Sequence, residues 1–401
     1  MRGWLRADGR KGIRNIVVVA YLVECAHHVA REICRPFSSH DVHVIGFPGC
    51  YPNSYAYRMM LNLCTHPNVG GVLLVSLGCE SFNRERLLAD VASSGRPTGL
   101  LVIQESGGTL KTIRQGRQMV EQMRLRLDTQ GTVSVQPGDL VVGTICGGSD
   151  GTSGLTANPA IGRAFDRLIA QGAACIFEET GELIGCEMQM AKRAITPELG
   201  SQIVQCVEKA ARYYSVLGFG SFAPGNADGG LSTIEEKSMG AYAKSGSSLI
   251  CGLLKPGDIP PGPGLFLLDV VPDGEVRFGF PNISDNAEIV ELIACGSHVI
   301  LFSTGRGSVV GSAISPVIKV CANPVTYRRL EDDMDVDAGR ILEGGATLDE
   351  VAAEIVDLVV ATANGALTKS EELGHQEFIL TYKTFEPLGP GCLPTAHRSR
   401  P

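Results

Sequence analysis

Histidine is scarce in this chain, with eight residues in 401. A metal centre built mainly on imidazole is therefore not written into it, and any metal it holds must draw on other donors. Positive charge is not in excess either. Lys and Arg number 35 against 43 Asp and Glu, a formal net charge of −8, and no basic run stands out, which sets nucleic acid aside. Apolar runs such as Ile16–Val23 and Gly71–Leu77 fall far short of the ~20 residues a membrane span needs. The segment Met1–Arg14 is polar and basic, unlike a secretory leader. No Gly-Lys-Ser/Thr phosphate loop and no Gly-x-Gly-x-x-Gly dinucleotide spacing occurs. Low-complexity segments and clear repeats are missing too. The expectation is a cytoplasmic, globular chain with neither nucleic acid nor membrane as partner.

What the chain does have is cysteine, glycine and β-branched residues. Thirteen cysteines, an odd number without small-domain spacing, fit a reducing compartment, where most are small buried hydrophobes. The 49 glycines cluster between apolar runs and predict many tight loops. Strand-like runs at Ile16–Leu22, Val42–Phe47, Val72–Leu77 and Leu100–Gln104 alternate with helical patterns at Ala26–Pro36, Tyr55–Thr65, Arg84–Ser94 and Thr109–Leu127. After a break over Thr129–Gly138 the alternation resumes. Strands are expected at Leu140–Ile145, Ala174–Glu178, Leu265–Val271, His298–Ser303 and Val317–Ala322. Helices are expected at Ala157–Gln171, Pro197–Val216, Ile234–Lys244 and Leu348–Ala363, with a glycine-rich loop over Gly218–Gly230. Such alternation predicts an α/β fold: two Rossmann-like parallel-sheet domains, residues 1–133 and 134–401, with helices on both faces.

In parallel sheets, ligands bind beyond the carboxyl ends of the strands. Cys50, Cys79 and Cys146 each fall at such an end. They could surround a metal, hold an iron–sulfur cluster with one open iron, or merely line a pocket. The loop Cys146–Pro159 is rich in Gly, Ser and Thr and opens a helix, so its backbone suits a carboxylate. Gly147, Gly148, Ser149, Thr156 and Asn158 are its candidate substrate contacts. Asp150 would orient a hydroxyl or take a metal, or else cap the turn. Asn226, in a second Gly-rich stretch, and Thr304 with Arg306, beyond an apolar strand, are further candidates, the guanidinium matching a carboxylate. Glu236 and Lys237 open a helix. A glutamate there suits the helix dipole without any function, whereas a lysine is better explained by a substrate carboxylate or a proton transfer. Glu178, Glu179, Glu182 and Glu187 form a carboxylate cluster that could supply oxygen ligands.

A set of segments, in order along nearly the whole chain, resembles a known family. They include Asp8–Asn15, His66–Gly71, Leu77–Glu80, Cys146–Pro159, Pro224–Asn226, Glu236–Ser238, Phe302–Gly307, Pro316–Lys319 and Asp335–Gly339. The resemblance is to the large region of altronate and galactarate dehydratases and the related large subunit of (2R)-sulfolactate sulfo-lyase. It implies a hydro-lyase that uses a divalent metal, Fe2+ or Mn2+, to remove water from a sugar acid or related 2,3-dihydroxy acid, giving a 2-keto-3-deoxy acid. Lys237, Glu236 and Asp150 would be catalytic. It also implies a separate small SAF-type subunit, and a homo- or hetero-oligomer, with the partner completing a site short of histidine. Where relatives carry His-Thr-x-Gly-Cys, this chain reads Gly46-Phe47-Pro48-Gly49-Cys50, which keeps other hydroxy acids open. Release of sulfite from sulfolactate is the alternative chemistry, and a non-catalytic α/β scaffold the alternative of another class.

Overall fold

Each β-branched run read as a strand forms one in the computed structural model, which describes residues 1–38, 40–215, 222, 224–273 and 284–383. Four strands pair in parallel in the order Val42–Gly46, Ile16–Tyr21, Val69–Ser76, Thr98–Val102. Seven more form a second parallel sheet, in the order Ile250–Leu254, Gly264–Leu268, Ala174–Phe177, Val141–Cys146, Val299–Thr304, Val317–Cys321, Val336–Asp337. The strand that ends in Cys146 is thus the middle one. Parallel strands covered on both faces should be apolar at every position, and Ile16–Tyr21, Val69–Ser76 and Val299–Thr304 are buried throughout.

Alternate residues separate two faces, as a period of two requires. Val299 and Leu301 pack with the helices Ala157–Ala170 and Leu348–Ala363 in one apolar cluster, whereas Ile300 and Phe302 face another. That other cluster runs without a break from the seven-stranded to the four-stranded sheet. It includes Met59, Met60 and Leu63 of the helix Ser54–Cys64 and Ile289, Val290 and Ile293 of the helix Asp285–Ala294. The pattern is not purely parallel. Arg2–Leu5 pairs antiparallel with both Lys11–Gly12 and Val133–Ser134 in a small third sheet. The reading of Gly218–Gly230 as a loop and the last residue of the helix begun at Pro197 lie partly outside the described residues.

Two of the family-like segments serve this architecture. Arg6 donates to the Pro67 carbonyl at 2.6 Å, and Arg14 donates to Glu371 and to the Thr362 carbonyl. The buried Asn68 side chain accepts from Ile13 N at 3.0 Å and donates toward the carbonyls of His298 and Ile314. Asp8–Asn15 and His66–Gly71 thereby tie the two sheets together.

Candidate functional site

The middle strand ends at Cys146, and its neighbour Ala174–Phe177 runs straight into Glu178 and Glu179. A short 3-10 turn, Thr180–Leu183, then carries Glu182 back over the strand ends. One sulfur and two carboxylate oxygens, from Cys146, Glu179 and Glu182, come within 4.8 Å of one another. The division of oxygens is regular. Glu179 Oε1 accepts from the Cys146 backbone N–H at 3.0 Å and lies 3.1 Å from its Sγ, while Oε2 is paired with the Lys244 ammonium. Glu182 Oε2 lies 3.2 Å from the same sulfur, and Oε1 is paired with Lys237. Ser149 Oγ donates to Cys146 Sγ at 3.2 Å. The single thiol proton can serve only one carboxylate at a time.

Glu179 is the one non-glycine at positive φ, 79°, among the described residues. A left-handed glutamate is uncommon and is held there by what its side chain receives. Burial, and then Glu182, pushes the Cys146 thiol up to about 11, against the opposing pull of Lys244 and Lys237. Burial alone would lower the Lys237 ammonium, but Glu182 and then Cys146 outweigh it and the net shift is upward, so Lys237 is a cation at neutral pH. Glu178, next to the triad, is held well above the usual carboxylate range by burial and then by Glu288.

A cavity of about 280 Å³ opens beside the triad, lined by Cys146, Ser149, Asp150, Asn158, Glu182, Glu236 and Lys237 together with apolar Leu155, Leu231 and Met239. The structure therefore gathers Cys146, Ser149, Asp150, Asn158, Glu236 and Lys237 at one place, yet several have other duties. Asp150 Oδ1 accepts from Thr152 N and Oγ1, and Oδ2 accepts from Asn323 Nδ2 at 2.9 Å, so it holds the loop's shape. The Asn158 amide donates to the Gly240 carbonyl, and its oxygen accepts from Ser303. Thr156 Oγ1 sits between the carbonyls of Thr152 and Ala322. Glu236 is exposed, and Ser232 N and Oγ, at 2.7 and 2.6 Å, lower its pKa. It acts as a helix-start cap and is a poor base.

Other expected residues lie off the cavity. Arg306 is exposed and donates to the Gly225 carbonyl at 2.7 Å, and Thr304 Oγ1 accepts from Gly307 N. Asn226 sits half-buried in the short helix Pro224–Asp228. Gly148, at φ +62°, offers its carbonyl to Gly305 and Arg306. Gly147 has a different reason to be glycine: a Cβ there would fall 2.0 Å from Asp285 Oδ2. The anion-binding reading of the loop is corrected in part. The N–H groups of Gly147, Asp150, Gly151, Thr152, Ser153 and Leu155 are all satisfied inside the protein. Cys50 and Cys79 are exposed at strand ends of the four-stranded sheet, and the ligand-type side chains gathered with Cys146 are two glutamates. Glu187 is turned to Gly185 N instead. Sequence reasoning missed Lys244, and with it Asp285 and Glu288. No local pattern announces a lysine buried to 1% exposure.

Comparison with known proteins places the chain among its relatives. Residues 138–385 match the family described as D-galactarate/altronate dehydratase, C-terminal, and residues 3–128 match D-galactarate dehydratase/altronate hydrolase, second domain. The chain is similar to the (2R)-sulfolactate sulfo-lyase subunit beta of Chromohalobacter salexigens, 31% identical over 393 residues, covering 94% of this chain and 96% of the relative. It is 29% identical over 397 residues to an altronate dehydratase of Bacillus subtilis, covering 94% and 77%. A galactarate dehydratase (L-threo-forming) of Escherichia coli is 33% identical over 318 residues, covering 77% and 59%.

Proposed function

Since the chain belongs to the D-galactarate/altronate dehydratase family, we propose that it is the large subunit of a metal-dependent hydro-lyase acting on a 2,3-dihydroxy acid. The observation that carries this reading is the convergence of Cys146 Sγ, Glu179 Oε1 and Glu182 Oε2 beside the cavity. One thiol and two carboxylates make a mixed sulfur and oxygen donor set that suits borderline Fe2+ better than the harder Mn2+. The fit is also electrostatic, because Lys244 and Lys237 each take one glutamate oxygen and leave the other turned to the sulfur. A bound metal would polarise the substrate's oxygens and so acidify C2.

The chain's own residues contribute a proton donor and the positioning of the site. In the net reaction the C2 hydrogen and the C3 hydroxyl leave together as one molecule of water, and the resulting enol tautomerises to a 2-keto-3-deoxy acid. Lys237, charged and on the cavity wall, donates a hydrogen bond or proton to the departing hydroxyl. Ser149 orients the sulfur, and Asp150 fixes the loop that carries both. Leu231, buried in the cavity wall, restricts water from that side. Among the described lining residues one cation faces three carboxylates. That balance favours a substrate with a single carboxylate and neutral hydroxyls, as in altronate. A separate small subunit of SAF type would complete the donor set with the histidine this site lacks.

The sulfo-lyase reading has its own support, since the sulfolactate relative is matched over 96% of its length. The two separate in one assay. The chain is reconstituted with the candidate small subunit and Fe2+ or Mn2+, then offered altronate, galactarate and sulfolactate, with keto acid and sulfite both measured. Keto acid from a sugar acid supports the hydro-lyase, and sulfite from sulfolactate supports the alternative. Full activity in Lys237→Ala would remove the proton-transfer role.

A further inference from the structure

The mouth of the cavity beside the triad carries two large apolar side chains in water. Leu155 is 61% and Met239 69% exposed, although both line the cavity. They form one lip. Leu155 follows Gly154 in the loop beyond Cys146, and Met239 precedes Gly240 in the helix Ile234–Ala243. The two glycines meet backbone to backbone, since a Cβ on Gly154 would lie 3.1 Å from the Gly240 Cα. Single apolar residues scattered over a surface are ordinary, but neighbouring ones at the rim of a cavity mark a contact. The rim beside them is acidic. Glu235 and Glu236, in the first turn of the same helix, are exposed. The cation among the described lining residues, Lys237, is buried and paired with Glu182, so it does not offset them at the surface.

We propose that Leu155 and Met239 are the docking point for the small subunit, and that its contact face presents apolar side chains flanked by Lys or Arg. The proposal rests on the two-chain reading above and adds to it the place of contact and the chemistry of the partner's face. Two arguments choose this occupant over a second copy of the chain. This chain covers 77% of the altronate dehydratase relative, which therefore has further chain with no counterpart here to lie against the cavity. A two-fold contact between copies is self-complementary, so it would set Glu235 and Glu236 against their own counterparts, like charge on like. A basic partner meets the acidic rim without that penalty. Docking also has a consequence for the cavity. Burial of Leu155 and Met239 would close the mouth against water, which Leu231, on one wall, does not do alone.

The test measures binding of the full chain to the candidate small subunit by surface plasmon resonance, with sedimentation velocity of the chain alone to follow self-association. Wild type should bind. Leu155→Glu/Met239→Glu should weaken binding by about thirtyfold or more, chiefly through faster dissociation. Glu235→Lys should instead slow association and flatten its dependence on salt. Leu110→Glu, which alters an exposed leucine of the helix Thr109–Asp128, should bind like wild type. Because Leu155 and Met239 already stand in solvent, their variants should melt like wild type. Leu155→Ala/Met239→Ala, with an expected loss of about tenfold, repeats the test without a new charge. Wild-type affinity in both double variants overturns the proposal and leaves the two-chain reading standing. No binding by wild type ends that reading and the proposal with it. If the chain dimerises alone, and the double variants lose the dimer while binding the small subunit normally, the lip belongs to a second copy and the proposal is overturned.

Discussion

Removing the Lys244 ammonium while leaving Glu179 in place is the sharpest perturbation this structure offers. Lys244 is 1% and Glu179 5% exposed, and the pair is formed deep beside Cys146. Solvent cannot reach the carboxylate to replace the lysine, so Lys244→Met strands a buried charge. Breaking such a pair from one side costs about 3–5 kcal/mol. With an unfolding entropy of ~2.1 cal/mol/K per residue, a chain of 401 residues melting as one unit would lose roughly 4–6 °C. The double substitution Lys244→Met/Glu179→Gln removes both charges. It should recover part of the loss, because the neutral amide can still accept from Cys146 N. A double-mutant cycle in urea, with Glu179→Gln as the fourth corner, measures the coupling directly. A Lys244→Met protein within about 1 kcal/mol of wild type would show that Glu179 is not a buried anion, and the electrostatic account of the triad would fail with it.

Other expectations are shorter to state. Cobalt-loaded protein should show a thiolate-to-metal charge-transfer band that disappears in Cys146→Ser, and its loading should release a proton, because the thiol is held protonated at neutral pH. Gly147→Ala should destabilise the fold by about 1–3 kcal/mol in urea, since its Cβ would meet both Asp285 and the Phe302 ring. Acid should also unfold the chain through His298, whose pKa is lowered to about 4, chiefly by burial. Its Nδ1 accepts from Val141 N at 3.0 Å and its Nε2 faces the Lys11 carbonyl at 2.8 Å, so the second proton has no place to go. From pH 6.5 down to about 4 the unfolded chain takes up that proton and the folded one does not. Stability therefore falls as pH falls through that window, by about 3 kcal/mol in all. Urea midpoints between pH 7 and 4.5 should drop less steeply in His298→Gln than in wild type, and equal slopes would exonerate His298.

The sheet strands could be read from the sequence because they are apolar at every position and broken by glycine and proline, a signal that survives without tertiary knowledge. The helix Asp285–Ala294 could not. Buried from Ala287 to Ala294, it has no solvent face to create a 3.6-residue period, and Glu288 and Glu291 interrupt what apolar signal remains. The same limit divided the site. Cys146 and the run of glutamates after Ala174–Phe177 stand at strand ends, where topology makes loop chemistry visible. Lys244 and Asp285 are brought in from elsewhere in the chain, and a lysine's value as a counter-ion exists only once the carboxylate it faces is buried. Strand-end position alone also misled. It ranked Cys50 and Cys79 with Cys146, but those two belong to the other sheet, which the shared core joins through its side and not its ends. The segments that carry the family resemblance show the converse. Asp8–Asn15 and His66–Gly71 are rich in polar residues and yet lie at the junction of the sheets, where Asn68 and Arg14 satisfy main-chain carbonyls that no strand can reach. A polar residue in a family signature therefore points to buried hydrogen bonding first. Chemistry becomes the better reading where, as at Lys237, the residue also lines a cavity.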